Sequence, residues 1–365
     1  MESTSQDGAF MREALRLAAR GRGRTSPNPM VGAIIVDPRG AIVGSGHHER
    51  AGDDHAEVRA LAEAGEAARG ATLYCTLEPC CHHGRTGPCV ERIAEAALAR
   101  VVVAMPDPNP VVNGRGIESL RRRGITVDVG LQECEAARLN EAFVTWVSRR
   151  RPFVTMKVAT SLDGFIAARP GARTTLTSPA TSRVVHKLRA EVDAIGVGST
   201  TVLVDDPLLT AREQPRARPL TRVVFDRRLR TPPTARLFGT LASGPVVVLT
   251  VESASALHRE RLARLADAGA EVEQVDAGGF LRDAFERLAE RRVTSLVLEG
   301  GRLVHEAAWE AGLVDRVQVF VAPVEVGASG VAWMDRDAVF GAVDALAVRV
   351  CGPDVLMEAD VHRTH

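Results

Sequence analysis

The sequence has no surplus of charge of either sign, with Lys plus Arg and Asp plus Glu at 46 each over 365 residues. A polyanionic partner would call for a basic surplus, so the overall balance gives no footprint for nucleic acid. Aromatics are scarce as well: one Tyr and three Trp offer little of the stacking platform on which single strands are held. No apolar run is long enough to suggest a membrane span. The opening residues include Glu2, Asp7 and Glu13 and no continuous apolar stretch, which reads against a signal or transit peptide and makes the cytosol the expected location. No internal repeat or low-complexity segment appears. What remains, with 45% apolar and 25% charged residues, is the balance of an ordinary globular protein.

Its length exceeds what one core usually holds, so two domains are expected. Apolar spacing and breakers alternate through the first half. A helix is expected over Phe10 to Arg20, strands at Val31 to Val36 and Ile42 to Gly44, and a helix from His55 to Arg69 that Asp53 or Asp54 is able to cap. A strand from Ala71 to Leu77, a helix after Pro88, a strand from Val101 to Met105, a helix from Gly114 to Arg123 and a strand from Ile125 to Val129 follow. One long helix from Glu133 to Val147 closes the half. Such alternation implies a mostly parallel sheet covered by helices. Arg149-Arg150-Arg151-Pro152 ends that helix before a fresh strand, Phe153 to Val158. This places the boundary between domains 1–149 and 150–365. The second half alternates again, and a second α/β sheet domain is the simplest reading.

Four of the six cysteines, Cys75, Cys80, Cys81 and Cys89, crowd together beside histidines, which in a reducing compartment points to metal. His55-Ala56-Glu57 opens a helix, and Pro79-Cys80 stands where the next strand ends. One imidazole and two thiolates suit zinc and leave a fourth position for water, which becomes a nucleophile near neutral pH toward an amidine-like carbon. A Glu two residues after the His is placed to shuttle protons without ligating. The pattern is that of a zinc deaminase, His-x-Glu then Pro-Cys-x-x-Cys, but a literal Cys-x-x-Cys is absent. By residue type alone Cys81, His82, His83 and Cys89 all remain candidates for the third ligand. Cys75, Cys134 and Cys351 read as small core residues. In the second half no Gly-x-Gly-x-x-Gly follows a strand, so a Rossmann fingerprint is lacking. Gly300-Gly301, after the strand Ser295 to Leu298, opens a helix whose backbone donors suit a phosphate, or is a tight turn.

Several stretches together resemble a known family. Thr25-Ser26-Pro27-Asn28-Pro29-Met30-Val31-Gly32-Ala33, His55-Ala56-Glu57-Val58 and the run from Thr76 through Glu78-Pro79-Cys80-Cys81-His82-His83 to Pro88-Cys89 are similar to the bifunctional deaminase-reductases of riboflavin biosynthesis, the RibD family. So are Lys157 to Gly164, Asp205 to Arg212 and Glu299-Gly300-Gly301, and also Asp107-Pro108-Asn109-Pro110 with Asn113 to Gly116. The resemblance implies a cytidine-deaminase-like three-layer α/β domain followed by a dihydrofolate-reductase-like domain. It implies zinc on His55, Cys80 and Cys89, Glu57 as the proton shuttle, and Asn28 and His48 against the pyrimidine.

For the second half the resemblance implies NADPH at Ala159, Thr175, Thr201, Asp205 and Gly301. The substrate, a pyrimidine ribosylamine phosphate, would meet Lys157, Arg173, Arg189, Leu209, Arg212 and Glu299. The sequence departs from the family in two places. Gly87 stands where Pro is usual, and Arg173-Thr174-Thr175-Leu176-Thr177 replaces a Ser-x-Trp-Ile-Thr stretch, removing an aromatic face and a small hydroxyl. The expected activity is hydrolytic deamination followed by reduction of the ribosyl side chain to ribityl. The alternative is an active deaminase with an inactive or altered second half, or a structural zinc in a scaffold. A homo-oligomer, dimer or tetramer, is expected, with no nucleic-acid or membrane partner.

Overall fold

A computed structural model describes residues 5–81, 87–253 and 255–361. The candidate ligands His82 and His83 lie outside the described residues. The chain forms two compact units, Met1–Arg150 and Arg151–His365.

In the first unit the strands are β1 (Gly32–Val36), β2 (Ile42–His47), β3 (Thr72–Cys75), β4 (Arg100–Val103) and β5 (Thr126–Val129). The helices are α1 (Ser5–Ala18), α2 (Ala56–Ala64), α3 (Cys89–Glu95), α4 (Arg115–Arg122), α5 (Glu133–Leu139) and α6 (Glu141–Arg149). The sheet order is β2-β1-β3-β4-β5. β3, β4 and β5 run parallel, whereas β1 is antiparallel to both neighbours. Alternation along the strands divides the core. Ala33, Ile35, Leu73 and Val101 pack with Ala56, Ala60, Ile93 and Ile117 on one face. Ile34, Val36, Tyr74 and Val102 pack with Met11, Ala14, Leu17 and Ala136 on the other. The result is three layers, helix, sheet and helix.

Two glycines set how closely α2 approaches the sheet. A Cβ at Gly44 would lie 2.2 Å from the Ala60 carbonyl oxygen, and one at Gly46 would lie 2.3 Å from that of Ala56. Only bare backbone there lets the helix that begins after His55 sit so low on β2. The expected cap by Asp53 or Asp54 is not what forms. His55 itself is the N-cap of α2, with no side-chain capping bond, because its ring is turned toward the thiols. The expected single helix from Glu133 to Val147 is broken into α5 and α6 at Asn140, whose side chain bonds the backbone of Met30 instead of facing solvent. Cys134, read as a core residue, is exposed on α5, whereas Cys75 and Cys351 are buried.

The second unit contains β6 (Phe153–Ser161), β7 (Phe165–Ala167), β8 (Ala194–Gly198), β9 (Thr221–Phe225), β10 (Val246–Val251), β11 (Ala270–Val275), β12 (Ser295–Leu298), β13 (Arg316–Ala322), β14 (Val331–Ala332), β15 (Val343–Cys351) and β16 (Asp354–Val361). Its helices are α7 (Pro179–Glu191), α8 (Ser199–Asp205), α9 (Ala256–Asp267), α10 (Phe280–Glu290), α11 (Arg302–Glu310) and α12 (Arg336–Phe340). A nine-stranded sheet runs β11-β10-β9-β8-β12-β6-β13-β16-β15. It is parallel from β11 to β13, and the hairpin of β15 and β16 is added antiparallel at the other edge. α10 and α11 cover one face around Phe285, Val304 and Ala308. α8 and α9 cover the other through Val202 and Leu265. Arg151, from the arginine run read as a helix end, is buried against Asp315 in a paired contact.

Candidate active sites

In the first unit His55 ends the loop into α2, Cys80 follows β3, and Cys89 begins α3. His55 Nδ1 lies 3.2 Å from Cys89 Sγ and 3.5 Å from Cys80 Sγ, and the three ligand atoms all fall within 4.8 Å of one another. Tetrahedral zinc with bonds of about 2.3 Å to sulfur and about 2.0 Å to nitrogen would hold such atoms roughly 3.5 Å apart. The donor set therefore fits zinc. Among the described residues Cys81 is not part of this cluster, and burial pushes its thiol up.

One thiol of the cluster carries negative charge while its two partners hold protons that a metal would displace. The Cys80 thiol is brought down to about 4 by its hydrogen bond with Cys89, against burial, with His55 adding to the effect. The Cys89 backbone N–H also donates to Cys80 Sγ at 3.3 Å. His55 is raised to about 9 by its hydrogen bond with Cys80. Glu57, in the first turn of α2, is 3% exposed, and burial holds its carboxyl above the ordinary value. Across from it, Asn28 Nδ2 stands 3.1 Å from His48 Nε2. The His48 ring meets that of His55 edge-on at 5.5 Å, and its pKa is lowered by burial. The structure thus brings Asn28, His48, His55, Glu57, Cys80 and Cys89 into one cluster.

Sequence reading missed Glu78. Buried beside Pro79, its carboxylate accepts the N–H groups of Asp107 at 3.1 Å, Gly114 at 2.8 Å, Gly116 at 2.8 Å and Ile117 at 3.2 Å. A Cβ at Gly116 would lie 2.1 Å from the Pro79 carbonyl oxygen. The Asp107 to Gly116 stretch is therefore a brace behind the Cys80 segment. An acid directly before Pro-Cys, with no cation nearby in sequence, is the signal that could have found it.

In the second unit Glu299, at the end of β12, lies between two cations. Arg189 of α7 donates to it through Nε and Nη2, each at 2.7 Å, and Lys157 Nζ on β6 is 3.8 Å away. Burial would raise the Glu299 carboxyl, but Arg189 and Lys157 outweigh it and bring it to about 2. Burial lowers Lys157. Neither Lys157 nor Arg189 is the surface charge its residue type would suggest, since their side chains are 13% and 14% exposed. Arg189 Nη1 also donates to the Thr210 carbonyl at 3.0 Å. That tethers the segment in which Leu209 is buried with φ +53, a left-handed conformation unusual for a branched residue. Arg212 is exposed, and its backbone N–H donates to His186 Nδ1.

Ala159 follows Lys157 on the same face of β6 and pairs with Phe320. Gly301 has φ +85, and a Cβ at Gly300 or Gly301 would come within 3.3 Å of Thr201 Oγ1, so the turn and Thr201 form one cradle. Asp205 ends α8. Burial holds its carboxyl above the ordinary value, an effect that the charge of Arg173 reduces. Arg173 and Thr175 are both exposed.

Residues 152–357 match the model of the RibD C-terminal domain, and residues 4–105 match that of the cytidine and deoxycytidylate deaminase zinc-binding region. The riboflavin biosynthesis protein RibD of Aquifex aeolicus (strain VF5) is 43% identical over 321 residues, 88% of each chain. That of Escherichia coli (strain K12) is 38% identical over 96% of this chain and 98% of its own. Among solved structures, Acinetobacter baumannii RibD superposes with a TM-score of 0.87 at 36% identity over 98% of this chain and 99% of that one. A diaminohydroxyphosphoribosylaminopyrimidine deaminase/5-amino-6-(5-phosphoribosylamino)uracil reductase from Thermotoga maritima gives 0.84 at 33% identity over the same shares. The two-unit α/β architecture is accordingly a cytidine-deaminase-like domain followed by a dihydrofolate-reductase-like one, and the chain belongs to the RibD family of riboflavin biosynthesis proteins.

Proposed function

We propose that the chain carries out two consecutive steps on one pathway intermediate. Residues 1–149 hydrolyse the 2-amino group from a diaminopyrimidinone ribosylamine phosphate, and residues 150–365 reduce the ribosyl side chain to ribityl with NADPH. The observation that carries this reading is the convergence of His55, Cys80 and Cys89 beside a buried Glu57 in a member of this family.

His55, Cys80 and Cys89 would hold zinc, which would supply Lewis acidity toward a water molecule. Glu57 takes up a proton at its carboxylate and delivers it toward the ring nitrogen and departing ammonia; a buried carboxyl with a raised pKa suits both halves of that task. The Asn28 carboxamide and the His48 ring, which burial keeps neutral, orient the pyrimidine edge. In the second unit the cradle of Gly301 and Thr201, with Ala159, Asp205 and Thr175, would hold NADPH, which would supply hydride. Lys157, Arg189 and Glu299 form the wall that positions the sugar, with Leu209 beside it. Arg212 and Arg173 meet the phosphate, where a planar guanidinium gives paired charge-assisted bonds.

The partner is a small molecule, and no helix among the described residues is long and apolar enough to cross a membrane. A homo-oligomer is supported by edge strand β15, whose Leu346, Val348 and Val350 are 47%, 60% and 77% exposed, an apolar edge that a second copy would cover. Light scattering on the purified chain tests it; a monomer at working concentration would rule it out. The activity is tested by supplying the diaminopyrimidinone ribosylamine phosphate and following ammonia release and NADPH oxidation separately. Both signals are expected, and ammonia without NADPH loss would restrict the proposal to the first unit.

A further inference from the structure

We infer that Arg227, Arg228 and Arg230 take the 2′-phosphate of the adenine nucleotide and so select NADPH over NADH. This rests on reading the second unit as an NADPH-dependent reductase. A cleft of about 570 Å³ is lined at one end by Gly198, Ser199, Thr200 and Val304. That end adjoins the cradle, since Thr201 follows Thr200 and the Gly198 N–H donates to the Gly300 carbonyl at 3.2 Å. The other end is lined by the three arginines and by Gly278 and Gly279. Between them lies the carboxyl edge of the adjacent parallel strands β8 and β9, where open α/β sheets take their ligands. The cleft is of a size that holds a small organic ligand.

Its chemistry matches the phosphorylated end of the dinucleotide. Phe280, Leu281, Leu303 and Ala307 give an apolar wall for a base. Arg230 Nη2 donates to Ser199 Oγ and Thr200 Oγ1, both at 3.0 Å. Arg227 Nη2 donates to the Ala277 carbonyl at 3.1 Å, and its guanidinium lies 5.3 Å over the Phe280 ring. The partners of Arg227 and Arg230 are neutral, so the charge of both is left for an anion, and a guanidinium with five donors has bonds to spare. The acid among the cleft's lining residues, the type that receives a free ribose hydroxyl, is Asp226, just after β9. It is fully buried, and its Oδ2 accepts both the N–H and the hydroxyl of Thr231 at 2.7 Å. The exposed charged side chains that line the cleft are cationic, with Asp276 held beside it by the Gly278 N–H, and that lining favours a phosphate over a hydroxyl.

The test is calorimetric titration of the purified full chain with NADP⁺ and with NAD⁺ in the absence of substrate, and with adenosine 2′,5′-bisphosphate as a probe of the nucleotide end alone. Wild type is expected to bind NADP⁺ more tightly than NAD⁺. Arg230→Ala, and separately the pair Arg227→Ala with Arg228→Ala, should weaken NADP⁺ and the bisphosphate by about tenfold or more while leaving NAD⁺ nearly unchanged. Equal weakening of both dinucleotides, no weakening of either, or a wild type indifferent between them would overturn the assignment. A wild type that binds neither dinucleotide would overturn the reductase reading and this inference with it, whereas unchanged NADP⁺ binding in the variants would overturn the arginine assignment alone.

Discussion

The Asn140 carboxamide holds Met30 by both of its backbone polar groups, with Oδ1 accepting the N–H at 2.7 Å and Nδ2 donating to the carbonyl at 2.9 Å. Met30 lies two residues beyond Asn28, so the break between α5 and α6 fixes the segment that carries the side chain proposed to meet the pyrimidine. Asn140→Ala would leave two backbone groups without partners, at about 1–3 kcal/mol each where buried. The expected outcome is a lower melting temperature and a raised KM for ammonia release, with NADPH oxidation of pre-deaminated substrate unchanged. Steady-state kinetics of the two half-reactions check it.

Glu78 acts on the metal centre from behind. Glu78→Gln keeps the shape but turns an amide toward four backbone donors that now meet a charged acceptor. The segment carrying Cys80 should loosen, weakening zinc by roughly 10- to 100-fold, as loss of an outer support does elsewhere. Competition with a chromophoric chelator measures this directly.

Glu299 neutralises two buried cations. Replacing it by Gln leaves Arg189 and Lys157 facing each other without a counter-charge, a change that costs about 3–5 kcal/mol in comparable buried pairs. Reduction should fall by two orders of magnitude or more while ammonia release persists, a separation that parallel assays would show.

A pH dependence follows from His305. Its Nε2 faces the Leu298 carbonyl at 3.1 Å, and its Nδ1 accepts from Trp333 Nε1 at 3.2 Å, so the neutral ring satisfies both partners. Burial lowers its pKa from 6.5 to about 4. Between those values the unfolded chain binds more protons than the folded one. The stability contributed by neutral His305 is thus complete above 6.5 and is lost as pH falls toward 4, by about 3 kcal/mol in all. Urea unfolding at several pH values should show that slope in wild type and a flatter one in His305→Gln.

The alternation of elements and the positions of His55, Glu57 and Cys80 were legible because periodicity and motif spacing are local properties, whereas Cys89 as third ligand came only from the family resemblance. What was not legible depends on distant partners. Asn140 sits in a continuous helical pattern, and only Met30, 110 residues away in sequence, breaks it. Glu299 and Arg189 are equally far apart; the resemblance set both beside one substrate, but no local pattern shows that they pair with each other. The antiparallel setting of β1 among parallel strands, and the placing of β13 between β6 and β16, are decided by sheet order, which hydrophobic patterning does not encode. The glycines of β2 were visible as residues, but their use, admitting α2 against the strand, was not.

The most direct test of the two-site account is Glu57→Gln assayed with both substrates. With the diaminopyrimidinone ribosylamine phosphate, ammonia release should fall by at least two orders of magnitude. With the already deaminated compound, NADPH oxidation should proceed at the wild-type rate and zinc content should be unchanged. Ammonia release at the wild-type rate in this variant would contradict the account.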